Sequence, residues 1–465
     1  MSAAVDSLAR LRKKIGAERA SSVPATEVAT RLETMHAEGV AAFDEIGLPS
    51  RRQERWKGTN LSALGAMDFA RIGTDTAAPS ASFVDSLQDV DADLVFVDGR
   101  MVRASADRAA LPEGTRVLSL LEASLEAPQL VAANLGCLAD SKIDALVALN
   151  GAFFEDVAVI ELAPNAKPAR ALRIVSYSTS LTAAEGTASA SFPRLLVVAG
   201  EGAEASVLFE NEVKGEAPGY TGLVAEFLLS ANARVEFIES QSGPSKRIHV
   251  TQTFARVERD AHFDSHIFTL GEGLVRNELS VDLQGPAATT RMHGFFLGSG
   301  SAHHDHFTTV DHAAPHCSSD QEYRGVLGDK SAGVFRGRVI VRPGSQKTDA
   351  RQSNPNILLS DGASIDTKPQ LEIYADDIKA SHGSTIGQLD TEALFFLRAR
   401  GIGESDARLL MTRGFAQTIV DGVGDEAARL LMGERVDAAL SSLQSSLQSS
   451  PSSMLPGSSP RGDSA

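Results

Sequence analysis

Cysteine is nearly absent from this chain, with two residues in 465, Cys137 and Cys317. So few thiols exclude a disulfide framework and fit a reducing compartment. Tryptophan occurs once and tyrosine four times, against twenty phenylalanines. Positive charge is short as well. Lys and Arg number 44 against 60 Asp and Glu, a net charge of −16, which argues against a surface for nucleic acid or anionic lipid. No apolar run approaches the roughly 20 residues that a membrane-spanning helix needs. The opening stretch MSAAVDSLARLRKKIGAERA lacks the apolar centre of a secretory signal, and Asp6 and Glu18 count against a transit peptide. These absences lead to the expectation of a soluble, acidic, cytoplasmic protein. Its length calls for two or three structural units.

Four regions follow from the patterning. Residues 1–165 read as helical and mixed. Leu8, Leu11 and Ile15 share one helical face, and Val28, Leu32 and Met35 form the apolar stripe of a helix from about Thr26 to Ile46. Pro49 ends that helix, and Trp56 follows a cluster of charges in GLPSRRQERWKGTNL. DLVFVDGRMVRASA reads as a hairpin turning at Asp98-Gly99. DALVALNGAFFEDVAVIEL then reads as a helix and a strand. From 166 to 390 helix signals give way to short alternating runs such as RVEFIESQ and VFRGRVIV. Alanine recurs at apparent corners, Ala205, Ala233, Ala261, Ala288, Ala302, Ala332 and Ala363. Most intervals are about 28 to 31 residues, with a half-step at Ala302, within the range of solenoid repeats. Two or three short strands per coil with small corner residues would stack into a parallel β-helix, and a β-sandwich with accidental spacing is the alternative. Helices return over 391–443, with Asp390 as an N-cap and Gly401 just past the end of the first. The Ser/Pro/Gly-rich tail, 444–465, is too polar to order itself.

The densest cluster of potential ligands is SAHHDHFTTVDHAAPHCSSD, with His303, His304, Asp305, His306, His312, His316 and Cys317. On a strand, His304 and His306 share one face and His303 and Asp305 the other. Two imidazoles so placed, with His312 or His316, could hold zinc or iron in a metal-dependent β-solenoid enzyme. The competing reading is a structural polar face, and His262 and His266 fit it better still as satisfied sheet residues. Cys317 follows His316 in a polar context that could lower its pKa, which makes it a secondary candidate for sulfur or metal chemistry. Cys137 reads as a small buried residue. GVLGDKSAG lacks the spacing of a phosphate-binding loop, and Gly328 to Gly333 reads as a turn between strands. The sequence carries no nucleophile elbow, HExxH helix or dinucleotide fingerprint.

QKTDARQSNPNILLS, DTKPQLEIYADDIKASHGSTIGQLD and FFLRARGI, with GLPSRRQERWKGTNL and ALNGAFFED upstream, resemble the SufB/SufD family of the SUF iron–sulfur cluster assembly machinery. The resemblance covers most of residues 40–420. It implies a mainly β fold, a right-handed parallel β-helix core flanked by N-terminal and C-terminal helical regions. It also implies a non-catalytic scaffold subunit of a SufBCD-type complex, paired with a SufB-like paralogue through the β-helices or with a second copy of itself. A SufC-like ABC ATPase would bind the C-terminal helices, in the region of Phe395, Arg398, Arg400, Arg408 and Phe415. This chain has no ATP site of its own, so ATP use would belong to that partner. SufB-like chains tend toward a His-Glu-Ala-Thr run, whereas Ser381-His382-Gly383-Ser384-Thr385 is similar to the SufD form. The resemblance carries the family's interface histidine onto His382, as a ligand for iron or a transient Fe–S cluster shared with SufB. Some SufD sequences have a cysteine two residues before that histidine; here it is Ala380. One imidazole cannot retain a cluster, so the other ligands would come from the partner.

Overall fold

The computed structural model describes residues 27–67, 81–87, 89–105, 108, 111–179, 188–215, 218–243 and 246–449. The expected helix around Leu8, Leu11 and Ile15 lies outside them. Two long sheets face each other across one core, and the chain passes alternately from one to the other. The first sheet runs from the hairpin Leu94–Val97 and Arg100–Ala104, through Leu172–Thr179, Glu204–Lys214, Arg234–Ser242, His262–Thr269, Thr289–Gly298, Ser318–Leu327 and Asp349–Leu358, to Lys379–Gly387. The second runs from Thr115–Leu118 through Ala158–Leu162, Arg194–Ala199, Gly219–Leu229, Arg247–Val257, Leu274–Leu283, His303–His312 and Ala332–Val341 to Ser364–Ile373. From Leu172 onward the neighbours within the first sheet are parallel, and so are those of the second from Ala158. The result is a parallel β-solenoid of about seven turns.

The alanine corners have a conformational cause. At one edge of the solenoid each coil places a residue in the left-handed region, Gly202, Asn232, Asp260, Ala287, His316 and Lys347 in turn. The next residue is buried and small or compact, Ala203, Ala233, Ala261, Ala288, Cys317 and Thr348. Its carbonyl accepts from the first strand amide of the following coil, for example His262 N to Ala233 O at 2.8 Å and Asp349 N to Cys317 O at 3.1 Å. Small side chains are needed because this edge is packed to the backbone on both sides. Ala302 and Ala363 mark the opposite edge, so the half-step in the repeat is a change of corner. Ser331 is the corner between them, and Ala332 is already in its strand. Ala205 is likewise one step inside its strand, the corner being Ala203.

The two ends of the solenoid differ. At the first end antiparallel pairing closes both sheets: Leu94–Val97 with Arg100–Ala104, turning at Asp98 and Gly99 with positive φ, and Thr115–Leu118 with Ala158–Leu162. The helix Glu27–Ile46 covers the helix Ala145–Phe153 here, and Gly39 permits the contact, since a β-carbon on it would lie 2.7 Å from the Ala148 carbonyl oxygen. Residues 50–61 then strap the outer face of the second sheet. The Arg276 guanidinium, fully buried, lies 3.9 Å from the Trp56 ring centroid and pairs with Glu278 and Asp305. Arg55 pairs with Glu278 and Asp144, and Thr59 bonds Asp305 and His303 Nε2.

Beyond the solenoid come the helices Thr391–Arg398, Glu404–Asp421 and Glu426–Ser449. The last two form a hairpin on the outer face of the first sheet. Ile419, Val420, Val423, Met432, Val436 and Leu440 pack there on Ile238, Phe268, Phe295, Leu297 and Val326. The expected polar tail from 444 is overturned for its first residues. The helix continues to Ser449, because Leu440, Leu443 and Leu447 keep a helical spacing and the last two close over Gly328. Gln444 bonds Ser405 and Ser446 bonds Asp329. Residues 450–465 lie outside the described residues. No described helix is long and apolar enough to cross a membrane.

Candidate functional site: the open end of the solenoid

The second end has no antiparallel closure. Its last rungs, Ser364–Ile373 and Lys379–Gly387, are the terminal strands of the two sheets, and each leaves one edge unpaired within them. Every residue from Ser381 to Gly387 is exposed. An open edge of this kind is a template for another chain. Ile373, Tyr374 and Ile386 add apolar surface to it.

His382 sits in the middle of the final strand. It is in register with Gln352, which is in register with Gln321 and then Met292. The last three are buried and belong to the inward-facing row of the first sheet. The Gln352 Nε2 donates to Gln321 Oε1 at 3.1 Å, and Thr308 Oγ1 donates to the same oxygen at 2.6 Å. His382 therefore occupies the next place in a polar internal row, at the mouth where the row meets solvent. Gly383 beside it has open space around its missing β-carbon. His382 itself is exposed.

The helix Thr391–Arg398 follows immediately. Asp390 caps it by accepting from Glu392 N and Ala393 N, and Gly401 ends it with φ near +83°. No residue of this helix is buried, and Phe395 is 72% and Phe396 55% exposed. Arg400 stacks on Phe396 at 3.3 Å from the ring centroid, and Arg398 and Arg408 both pair with Glu404, at 3.5 and 3.4 Å. Phe415 departs from the expected surface group. It is half-buried against the solenoid under the Arg324 guanidinium, 5.0 Å from its ring, so it belongs to the seat of the hairpin.

The histidine cluster resolves differently from the metal expectation. His304, His306 and His312 all point into the solenoid, as strand alternation required, but they go to separate partners. His304 Nε2 meets the Gly271 carbonyl at 2.9 Å and His312 Nε2 the Ser319 hydroxyl at 2.9 Å. His306 lies between Phe296 and Tyr323 with both ring nitrogens lacking a hydrogen-bond partner. Burial lowers all three, His304 and His312 to about 4 and His306 to about 3. His303 faces outward and holds Thr59, and His316 is a left-handed corner residue. Among the described residues no three His, Cys, Asp or Glu side chains are grouped to hold a metal ion.

Cys317 also reads differently. It is a buried corner residue whose thiol donates to the Gly285 carbonyl at 3.3 Å, and burial pushes its pKa up rather than down. The neighbouring His316 does not activate it. Cys137 is exposed. His262 bonds Thr289 as a satisfied sheet residue, whereas His266 is buried with neither nitrogen hydrogen-bonded, a departure the sequence did not signal.

The comparisons with known proteins agree with this architecture. Residues 181–415 match the family described as SUF system FeS cluster assembly, SufBD core domain, and residues 18–174 match the SufBD protein N-terminal region. The chain is 31% identical over 398 residues to the iron–sulfur cluster assembly protein SufD of Escherichia coli (strain K12), covering 85% of this chain and 90% of that protein. It is 29% identical to an iron–sulfur cluster assembly SufBD family protein of Synechocystis, over 82% and 86% of the two chains. A chloroplastic protein of Arabidopsis thaliana, ABCI7, is 26% identical over 80% and 78%. Two family regions in tandem, a relative matched over nearly its whole length and the parallel solenoid itself lead to one conclusion: the chain belongs to the SufBD family of iron–sulfur cluster assembly proteins.

Proposed function

We propose that this chain is a non-catalytic scaffold subunit of a cytoplasmic SufBCD-type assembly complex, and that its open solenoid end receives a SufB-like paralogue. The observation that carries the reading is His382, exposed at the centre of a terminal strand with one edge unpaired. A neutral imidazole there is a competent ligand for ferrous iron but a poor one alone. Thiolates from the docked partner would complete a shared, transient site for iron or a nascent cluster, and weak shared ligation suits a scaffold that must release its product. In the absence of such a paralogue the same edge supports self-pairing of two copies.

The exposed aromatic and basic surface of Thr391–Arg398, with Phe395, Arg398 and Arg400, supports contact with a SufC-like ABC ATPase. Arg408 extends that surface, and ATP hydrolysis would belong to the partner. Two free thiols and an acidic surface support the cytoplasm as the compartment.

The test is reconstitution with SufB-like and SufC-like subunits. His382→Ala should retain complex formation and lose cluster assembly, and normal assembly by this variant would remove the role given to His382. Gly383→Trp, at a position where an added β-carbon meets nothing within 4 Å, should leave folding unchanged and abolish partner binding. Retained binding would remove the open end as the docking surface.

A further inference from the structure

The hairpin Glu404–Asp421/Glu426–Ser449 rests on the solenoid through a small polar seat that the apolar packing does not require. Its turn, Gly422 to Asp425, lies over four side chains on the outer face of the first sheet. Glu236 is the receiver: Oε1 accepts from Gly424 N at 2.6 Å, and Oε2 accepts from Asp425 N at 3.2 Å and from the Ser206 hydroxyl at 2.7 Å. One strand over, His266 is completely buried. Its Nε2 lies 3.4 Å from Glu236 Oε1 without the geometry of a hydrogen bond, and its Nδ1 has no partner either. His293, on the next strand, meets the His266 ring edge-on with centroids 5.5 Å apart. Its Nε2 is 3.5 Å from Asp320 Oδ2 and its Nδ1 is unpartnered. Gly422 closes the seat, since a β-carbon on it would stand 3.1 Å from His266 Cε1 and 3.3 Å from His293 Nδ1.

We propose that this seat is a proton-linked latch: the hairpin turn docks on the solenoid only while His266 is neutral, so lifting the hairpin takes up a proton. An imidazole walled in by the turn, beside a carboxylate that already accepts three hydrogen bonds, is a poor place for a positive charge. The groups facing it are few and named. Asp264 comes from its own strand, Glu236 from one neighbouring strand, and Arg291 and His293 from the other. From the hairpin come the Gly422 backbone and, through Glu236, the amides of Gly424 and Asp425. Glu236 already spends its oxygens on those amides and Ser206, and Arg291 pairs with Asp264 and offsets its charge. Burial, reinforced by His293, lowers the pKa of His266 to about 3 while the turn is seated. Once the turn lifts, His266 returns to the ordinary histidine range near 6.5. The open state then binds more protons below that pH, and docking weakens as pH falls. A partner that engages the hairpin would thus act on a proton equilibrium as well as on a packing contact.

The experiment is amide hydrogen exchange on the full chain, with protection factors for Gly422 to Asp425 corrected for intrinsic rates at pH 7.5 and 5.5. The wild type should lose about tenfold in protection between these values, the linkage of one histidine whose pKa moves from about 6.5 to about 3. His266→Gln should change less than about twofold over the same interval. Glu236→Gln should lower the protection of the turn at both pH values. Constant protection in the wild type, a fall retained in His266→Gln, or unchanged protection in Glu236→Gln would each overturn the proposal. Imidazole Cε1–H titration of the wild type is the second readout, independent of any variant. His266 should stay neutral to below pH 5, and a midpoint near 6.5 would overturn the latch.

Discussion

The Arg276 guanidinium stacks on Trp56 at 3.9 Å while binding Glu278 and Asp305, so one buried cation joins the N-terminal strap to two neighbouring coils. A stacked, doubly paired arginine is stabilising only while all its partners are present. Removing it leaves the buried Asp305 carboxylate without a cation and Glu278 with Arg55 alone.

Arg276→Met should therefore lower unfolding stability by about 3–5 kcal/mol, the range for breaking a buried ion pair. Trp56→Ala should cost about 3–5 kcal/mol as a large-to-small core change. Because Trp56 is the sole tryptophan, its emission reports the strap directly. Urea titration should show a red shift at lower urea in Arg276→Met than in the wild type, and coincident curves would refute the clamp.

The solenoid should be acid-sensitive through its histidines. His266, His304, His306 and His312 are all held below the usual histidine pKa, chiefly by burial. Unfolding returns them to about 6.5, so the unfolded state binds more protons at lower pH. Their contribution is complete above pH 6.5 and is lost as pH falls toward the folded values near 4 and 3, by about 1.4 kcal/mol per pH unit for each group titrating. His306→Phe should flatten part of that slope. It should also raise stability by about 1–2 kcal/mol at pH 7, since His306 leaves two buried nitrogens unsatisfied between two aromatic rings. Denaturation midpoints at pH 5, 6 and 7.5 decide both points.

Corner geometry gives a third expectation. Ala287 holds φ near +61° at a position where other coils use Gly202, Asn232 or Asp260. Left-handed backbone costs an alanine about 1–2 kcal/mol and glycine almost nothing. Ala287→Gly should stabilise the chain by about 0.5–1 kcal/mol after glycine's entropy is counted, and Ala287→Val should destabilise it. A destabilised glycine variant in chemical denaturation would contradict this account of the corner.

The two thiols should separate cleanly. Cys137 is exposed and Cys317 is sealed in the corner series, so a thiol reagent should titrate one group in the native chain and the second only on unfolding. Cys137 should itself react slowly at pH 7, because partial burial and the Glu226 carboxylate push its pKa up. Cys317→Ala should cost about 1 kcal/mol or less, given that alanine fills the same place in four other coils.

Much of this was legible in the amino-acid order, for identifiable reasons. Ala233, Ala261 and Ala288 could be read as corners because a small buried side chain recurs there at the length of one coil. The inward direction of His304 and His306 followed from strand alternation. What could not be read is set by contacts made across many residues. The left-handed position takes Gly, Asn, Asp, Ala, His and Lys in successive coils, a set with no common pattern. The Ser/Gln composition after 443 concealed Leu447, whose burial depends on Gly328, more than a hundred residues earlier. His266 resembled any sheet histidine until the distant turn at Gly422 covered it. His382 carries no local signal at all. Its place came from resemblance, and the open strand around it is visible only in three dimensions.

The asymmetry of the two solenoid ends gives the molecule a direction. A finished end and an unfinished one make each molecule a potential seed, because the last coil offers the same backbone edge that every earlier coil used to receive its successor. If a partner covers Lys379–Gly387 as proposed, the chain is best made in step with it, so that neither accumulates alone.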